Sequence, residues 1–177
     1  MTRKFLCCFP LRVGNIVFGY VVILIAIATV AFHLYELGLN MTNDFFQQNE
    51  KFKNFQNLDS IFGSSKDSLG KIVVMTYYIS YIAIAMLLFL FAILFTCGAY
   101  KANQCMVNTF FVYSFFHLFL TVILIVWEAL SNGWIQLGLI AISDLLLIFC
   151  LFSVKYLMEA IRTGNVYTRP GEDYYKY

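Results

Sequence analysis

The sequence predicts an all-α integral membrane protein, a bundle of four transmembrane helices with both termini cytoplasmic. Three observations carry this. Of 177 residues, 61% are hydrophobic and only 12% charged, whereas soluble domains carry about 25% charged residues, and mean hydropathy is +0.76. Four apolar stretches reach the roughly 20 residues a helix needs to cross the hydrocarbon core. Lysine and arginine collect in the flanks that a four-span path places on one side of the membrane.

The first span, residues 16–35, reads IVFGYVVILIAIATVAFHLY and follows a segment, 1–15, that holds Arg3, Lys4 and Arg12. Basic residues ahead of an apolar run resemble a secretory leader. This run is too long for one, and no small-x-small cleavage site follows before Glu36, so it is expected to stay as a span. Residues 36–71 form an extracellular or lumenal loop, whose lysines at 51, 53, 66 and 71 are offset by Glu36, Asp44, Glu50, Asp59 and Asp67. The second span, 72–100, is long enough to tilt or to run past the interface as helix. A cytoplasmic loop at 101–106 with Lys101 leads to the third span, 107–127, and an outer turn at 128–133, EALSNG, leads to the fourth, 134–154. The tail, 155–177, carries Lys155, Arg162, Arg169 and Lys176. All spans must be helical, because lipid offers no partner to free backbone groups.

Two cysteines, Cys7 and Cys8, lie just before the first span beside Lys4, Phe9 and Arg12, the setting in which thiols accept palmitate; the plain alternative is two reduced thiols. Cys97, Cys105 and Cys150 fall in or beside spans and the outer loop has none, so neither a disulfide framework nor a zinc quartet is expected. The triplet Asn40-Met41-Thr42 is a glycosylation sequon, placed only a few residues beyond the membrane. Further along the loop Phe45, Phe52, Phe55, Leu58 and Phe62 share one broad helical face. A cover lying on the membrane surface or over the bundle is the simplest reading of it, and a face that recognises a partner protein is the sharper one.

Inside the apolar stretches stand His117, near the middle of the third span, and Asp144, near the middle of the fourth. A tight turn makes these spans antiparallel, which puts the two residues at nearly the same depth. A charge at the bilayer centre costs about 2.5–3.5 kcal/mol on insertion scales, so an intramembrane polar pair joining the spans is expected, with a proton-responsive site as the functional alternative. His33 reads as interfacial. No phosphate-binding glycine loop, nucleophile elbow or metal motif is present, so no enzyme, cofactor or metal is expected. A net charge of +2 without a nucleic-acid-binding signature leaves nucleic acid out as well. Membrane lipids, other membrane proteins and a second copy of the chain are the expected partners. The tyrosine-rich terminus ending at Tyr177 could enter a PDZ groove by strand addition, against the simpler reading of a solvated tail.

The stretch CCFPLRVGNIVFG, residues 7–19, ahead of four spans with the longest polar loop after the first, resembles the small insect four-span proteins of the pasiflora septate-junction type. It is also similar to the lysosome-associated four-span transmembrane family, whose members begin with cysteines, a basic residue and a glycine before span one. The first resemblance implies cell-junction assembly at lateral plasma membranes. The second implies endolysosomal trafficking, although the tail lacks that family's Pro-Pro-x-Tyr motif. The cysteine-free outer loop departs from claudins and tetraspanins, whose outer loops are disulfide-bonded. A proton-linked small-solute transporter using His117 and Asp144 is the reading of a different class.

Overall fold

The computed structural model describes residues 4–5, 9–42, 66–130 and 133–164. Two short strands, β1 (Lys4–Phe5) and β2 (Phe9–Pro10), pair antiparallel with Lys4 opposite Pro10. Four helices follow: α1 (Leu11–Thr42), α2 (Lys66–Lys101), α3 (Gln104–Leu130) and α4 (Trp134–Arg162). Each contains a segment long and apolar enough to cross a membrane. The chain is therefore a multi-pass membrane protein. The predicted bundle class holds, with the two-residue strands as an addition the apolar pattern does not carry.

The helices outrun the predicted spans. The first starts at Leu11 instead of 16, and the fourth runs on to Arg162 instead of stopping at 154. The third continues to Leu130 and so absorbs Glu128, which the sequence places in the outer turn. Hydropathy ends a span at the first charge, whereas a helix ends where its backbone finds other partners. In this chain Arg12, Glu36 and Glu128 find such partners in neighbouring helices.

The helices pack in a ring, α1 on α2, α2 on α3, α3 on α4, and α4 back on α1. We call inner the end predicted to face the cytoplasm and outer the end of the α3–α4 turn. Near the inner end Phe95, Val107, Phe110, Val154 and Leu157 form a close-packed cluster, threaded by Phe95 stacked on Phe110 at 4.5 Å and Phe91 on Tyr113 at 4.0 Å. Toward the outer end Val74, Tyr77, Tyr78, Tyr81 and Leu124 form a second.

A short turn joins α2 to α3. Ala102 adopts a left-handed φ of 49°, so the Asn103 N–H reaches back to the Gly98 carbonyl at 2.9 Å, the closing bond of a helix end of this kind. Asn103 Oδ1 then accepts from the Cys105 N–H at 3.0 Å and caps α3. Arg12 supplies what the turn leaves over: its Nε donates to the Ala99 carbonyl at 3.1 Å and an Nη to that of Tyr100. A guanidinium at a helix C-terminus also meets the negative end of the helix dipole. Arg12 is thus a fastener between α1 and α2 as well as a flanking charge.

One glycine sets how near α1 and α2 come. A Cβ on Gly19 would lie 2.3 Å from Thr96 Oγ1 and 3.2 Å from the Phe95 ring, so the approach requires a residue without one. Gly19→Ala should push the helices apart and cost about 1–3 kcal/mol, the usual range for overpacking. Thermal unfolding in detergent should show a lower midpoint for Gly19→Ala and partial recovery in the Gly19→Ala/Thr96→Ala double variant. An unchanged midpoint in the single variant would show that this contact does not set the packing.

Candidate functional site

The most concentrated polar chemistry of the bundle lies at its outer end, around a carboxylate. On α2 the run MTYYISY places Tyr77 and Tyr81 one turn apart on the inward face, with Tyr78 beside them. On α3 Ser114, His117, Thr121 and Glu128 recur at spacings of three, four and seven, so one face of that helix carries its polar groups. Where the two faces meet, Glu128 Oε1 accepts from the Tyr77 hydroxyl at 2.5 Å and from the Tyr81 hydroxyl at 2.7 Å. Glu128 is 0% exposed. The Tyr77 hydroxyl is also 3.1 Å from Oε1 of Gln136, which brings in α4.

The first helix closes the group. His33 lies against Tyr81 with ring planes 10° apart and centroids 4.4 Å apart, while its Nδ1 is 2.9 Å from the Thr29 carbonyl. The Tyr78 hydroxyl donates to Glu36 at 3.4 Å. His33, expected at the interface from its place near a span end, is buried against a neighbouring helix, where an aromatic wall on α2 takes up its flat face. Side chains from all four helices therefore meet within one layer, and its donors are turned on one another.

A second polar layer lies deeper. His117 and Asp144 are both buried, on facing helices. Thr121, one turn from His117 on α3, is the side chain beside Asp144, and its hydroxyl turns back on its own helix, 2.9 Å from the Leu118 carbonyl and 3.2 Å from that of His117. The His117 ring itself contacts the Tyr113 hydroxyl through Nδ1 at 3.4 Å. Asp144 is thus level with Thr121, one turn from His117. The one-turn offset has a simple source: α3 runs on to Leu130 while α4 still begins at Trp134, so the turn is centred later in the chain than 128–133.

A third polar contact joins α1 and α4 near the inner end. Asn15 is 0% exposed and its amide donates to the Leu11 carbonyl at 2.7 Å and to Ser153 Oγ at 3.5 Å. Neither Asn15 nor Glu128 is legible as a buried group when residues are read one at a time; the heptad phase shared with His117 and Thr121 is the signal that points to Glu128.

The other sequence-derived positions are placed as follows. Asn40 falls within α1, whose backbone stays helical through Thr42, and its side chain lies outside the described residues. Cys7, Cys8, Tyr177 and the aromatic loop segment 43–65 also lie outside them. Among the described residues no three His, Cys, Asp or Glu side chains gather in a metal-binding group, and Cys97, Cys105 and Cys150 are free thiols.

The arrangement can hold a carboxyl group in a closed layer but presents it to no solvent or substrate. Its energetic role can be measured. Glu128→Gln keeps an acceptor oxygen for both phenols, whereas Glu128→Leu strands the Tyr81 hydroxyl, at about 1–3 kcal/mol, and leaves Tyr77 with Gln136. In detergent melts the glutamine variant should stay close to wild type and the leucine variant should unfold at a clearly lower temperature. A leucine variant as stable as wild type would show that the layer does not hold the bundle together.

No family model, no curated protein and no solved structure matches the chain.

Proposed function

We propose that this chain is a non-catalytic four-span membrane protein that organises protein contacts within the membrane, with septate-junction-like cell-junction assembly as its setting and endolysosomal membrane trafficking as the second. One observation carries the reading. The buried polar groups form separate layers, and the inner half of the bundle between them is filled by stacked rings, Phe91 on Tyr113 and Phe95 on Phe110, with Phe18 set edge-on to the last two. A transporter needs a polar lining or broken helices reaching the site from both faces; here α1 to α4 are continuous. By contrast, broad apolar surface on every helix, including Leu24, Leu90, Phe119 and Phe149, is available to lipid and to neighbouring membrane proteins.

The resemblance of residues 7–19 to the pasiflora type supports the junctional setting, and that to the lysosome-associated type supports the vesicular one. Both place the termini in the cytoplasm, in line with the lysine and arginine distribution. Palmitate on Cys7 and Cys8, a glycan on Asn40 and a PDZ scaffold at Tyr177 belong to this proposal as its modifications and partner.

The transporter reading keeps one observation of its own, the two buried titratable residues His117 and Asp144 on adjacent helices, a turn apart in depth. Both readings are tested together. A tagged copy in polarised epithelium should concentrate at lateral contacts and cross-link to neighbouring membrane proteins there. The purified protein in liposomes should pass no protons, whether wild type or Asp144→Asn. Proton flux in wild type that disappears in Asp144→Asn would overturn the proposal in favour of transport, because an amide cannot carry the proton.

A further inference from the structure

Between α2 and α3, in the outer half of the bundle, the lipid-facing surface is cut by a groove of about 250 Å³. Its α2 side is Thr76, Ser80 and Ile84; its α3 side is Leu120, Ile123 and Trp127. The groove exists because α2 places two small side chains one turn apart, opposite bulky ones on α3. Its floor is closed by Tyr77 and Leu124, held by the outer core cluster.

Depth gives the groove a polarity. Thr76 is close to the outer end of the span Ile72–Lys101, and Ile84 is eight residues further in, about 12 Å at helical rise. Hydroxyl groups and the Trp127 indole therefore stand at the level of the membrane interface, where indoles collect, and only aliphatic side chains line the deep end. Among the described residues no charged side chain lines it.

The threonine is the telling residue. Elsewhere along the helices most hydroxyls turn back onto a carbonyl of the preceding turn, as in Thr29 to Ile25, Ser80 to Thr76, Thr96 to Ala92 and Ser114 to Phe110; among the described residues buried Ser153, which accepts from Asn15, is the other exception. That self-bonding is how hydroxyls are satisfied in lipid. Among the described residues the Thr76 hydroxyl makes no such bond, although its carbonyl accepts from Ser80 at 2.7 Å. A hydroxyl standing exposed at the mouth of the groove is free of its own helix and available to what fills the groove.

We propose that this groove binds a sterol, with its single hydroxyl bonded to Thr76 and its rigid apolar body lying between Ser80 and Ile84 on one side and Ile123 and Leu120 on the other. The surroundings identify the occupant's class. A groove continuous with the lipid-facing surface of a membrane protein is filled by lipid, and an uncharged lining suits an uncharged head. A phospholipid would bring a phosphate with no cation in the groove to meet it. The proposal rests on the membrane assignment and is independent of the junctional setting.

The test uses the full-length protein in liposomes with a photoactivatable sterol that keeps its hydroxyl. Labelling should map to peptides of α2 and α3 around Thr76–Ile84 and Leu120–Trp127 and should be competed by unlabelled sterol. Thr76→Val should weaken binding about fivefold, the scale of one hydrogen bond, with Thr76→Ser restoring it. Ser80→Leu, which fills the groove, should abolish the labelling. Label spread evenly over all four helices, label indifferent to Thr76→Val and Ser80→Leu in folded protein, or competition by phosphatidylcholine or ceramide as effective as by sterol would each overturn the assignment.

Discussion

Glu128 has no exposed surface and sits at the end of a helix that crosses a membrane, so donors for its carboxylate have to come from the protein. Tyr77 and Tyr81 provide two, at 2.5 and 2.7 Å. That requirement then reaches outward. To aim both phenols at one oxygen, α2 must present residues one turn apart to α3; the Tyr81 ring is then left with a face that His33 of α1 covers, and the Tyr77 hydroxyl is left within reach of Gln136 on α4. Apolar faces could not set these positions, because hydrocarbon tails pack against leucine as readily as another helix does. Directional bonds in a medium without water can.

The inner end is held by different means. There α1 meets α2 at Gly19, closer than any side chain would allow, and Arg12 spends its donors on carbonyls that the end of α2 leaves open. A Cβ on Gly98 would likewise lie 2.7 Å from that of Met106, which keeps α2 and α3 close just before their turn. Close approach multiplies dispersion contacts, which are small singly and large in sum. Aromatic stacking between Phe95 and Phe110 extends the same seam toward the bilayer middle. Where α2 turns small side chains, Thr76 and Ser80, toward α3, the seam gives way to the groove.

The number, order and apolar character of the helices were legible because they depend on residue type along a continuous stretch. What was not legible depends on partners remote in sequence. Glu128 reads as part of an outer turn when taken alone, since a glutamate after an apolar run is the ordinary sign of a span end; its burial depends on two tyrosines of another helix. That His33 is buried in the bundle is likewise not legible until Tyr81 is placed against it. That His117 and Asp144 face the bundle interior was legible from their cost in lipid; what each side chain meets there was not, since the His117 ring contacts Tyr113 of its own helix. Arg12 was legible as a charge on the inner flank, but its bonds to α2 follow from how that helix ends.

Taken around the ring, the polar contacts have a distribution of their own. Arg12 joins α1 to the end of α2; Tyr77 and Tyr81 join α2 to Glu128 of α3; Thr121 of α3 meets Asp144 of α4; and Asn15 of α1 reaches Ser153 of α4. Every neighbouring pair of helices thus has a polar contact, those of Arg12 and Asn15 close together at the inner end and the others further out, beyond the stacked rings. A conduit would require these groups to be stacked along one line so that polarity is continuous from face to face. Spread one to an interface, they do something else: each specifies which helix lies next to which, a choice that dispersion packing in lipid leaves nearly degenerate. The polar residues of this membrane bundle therefore account for its neighbour order first, which is why a chain so apolar retains them.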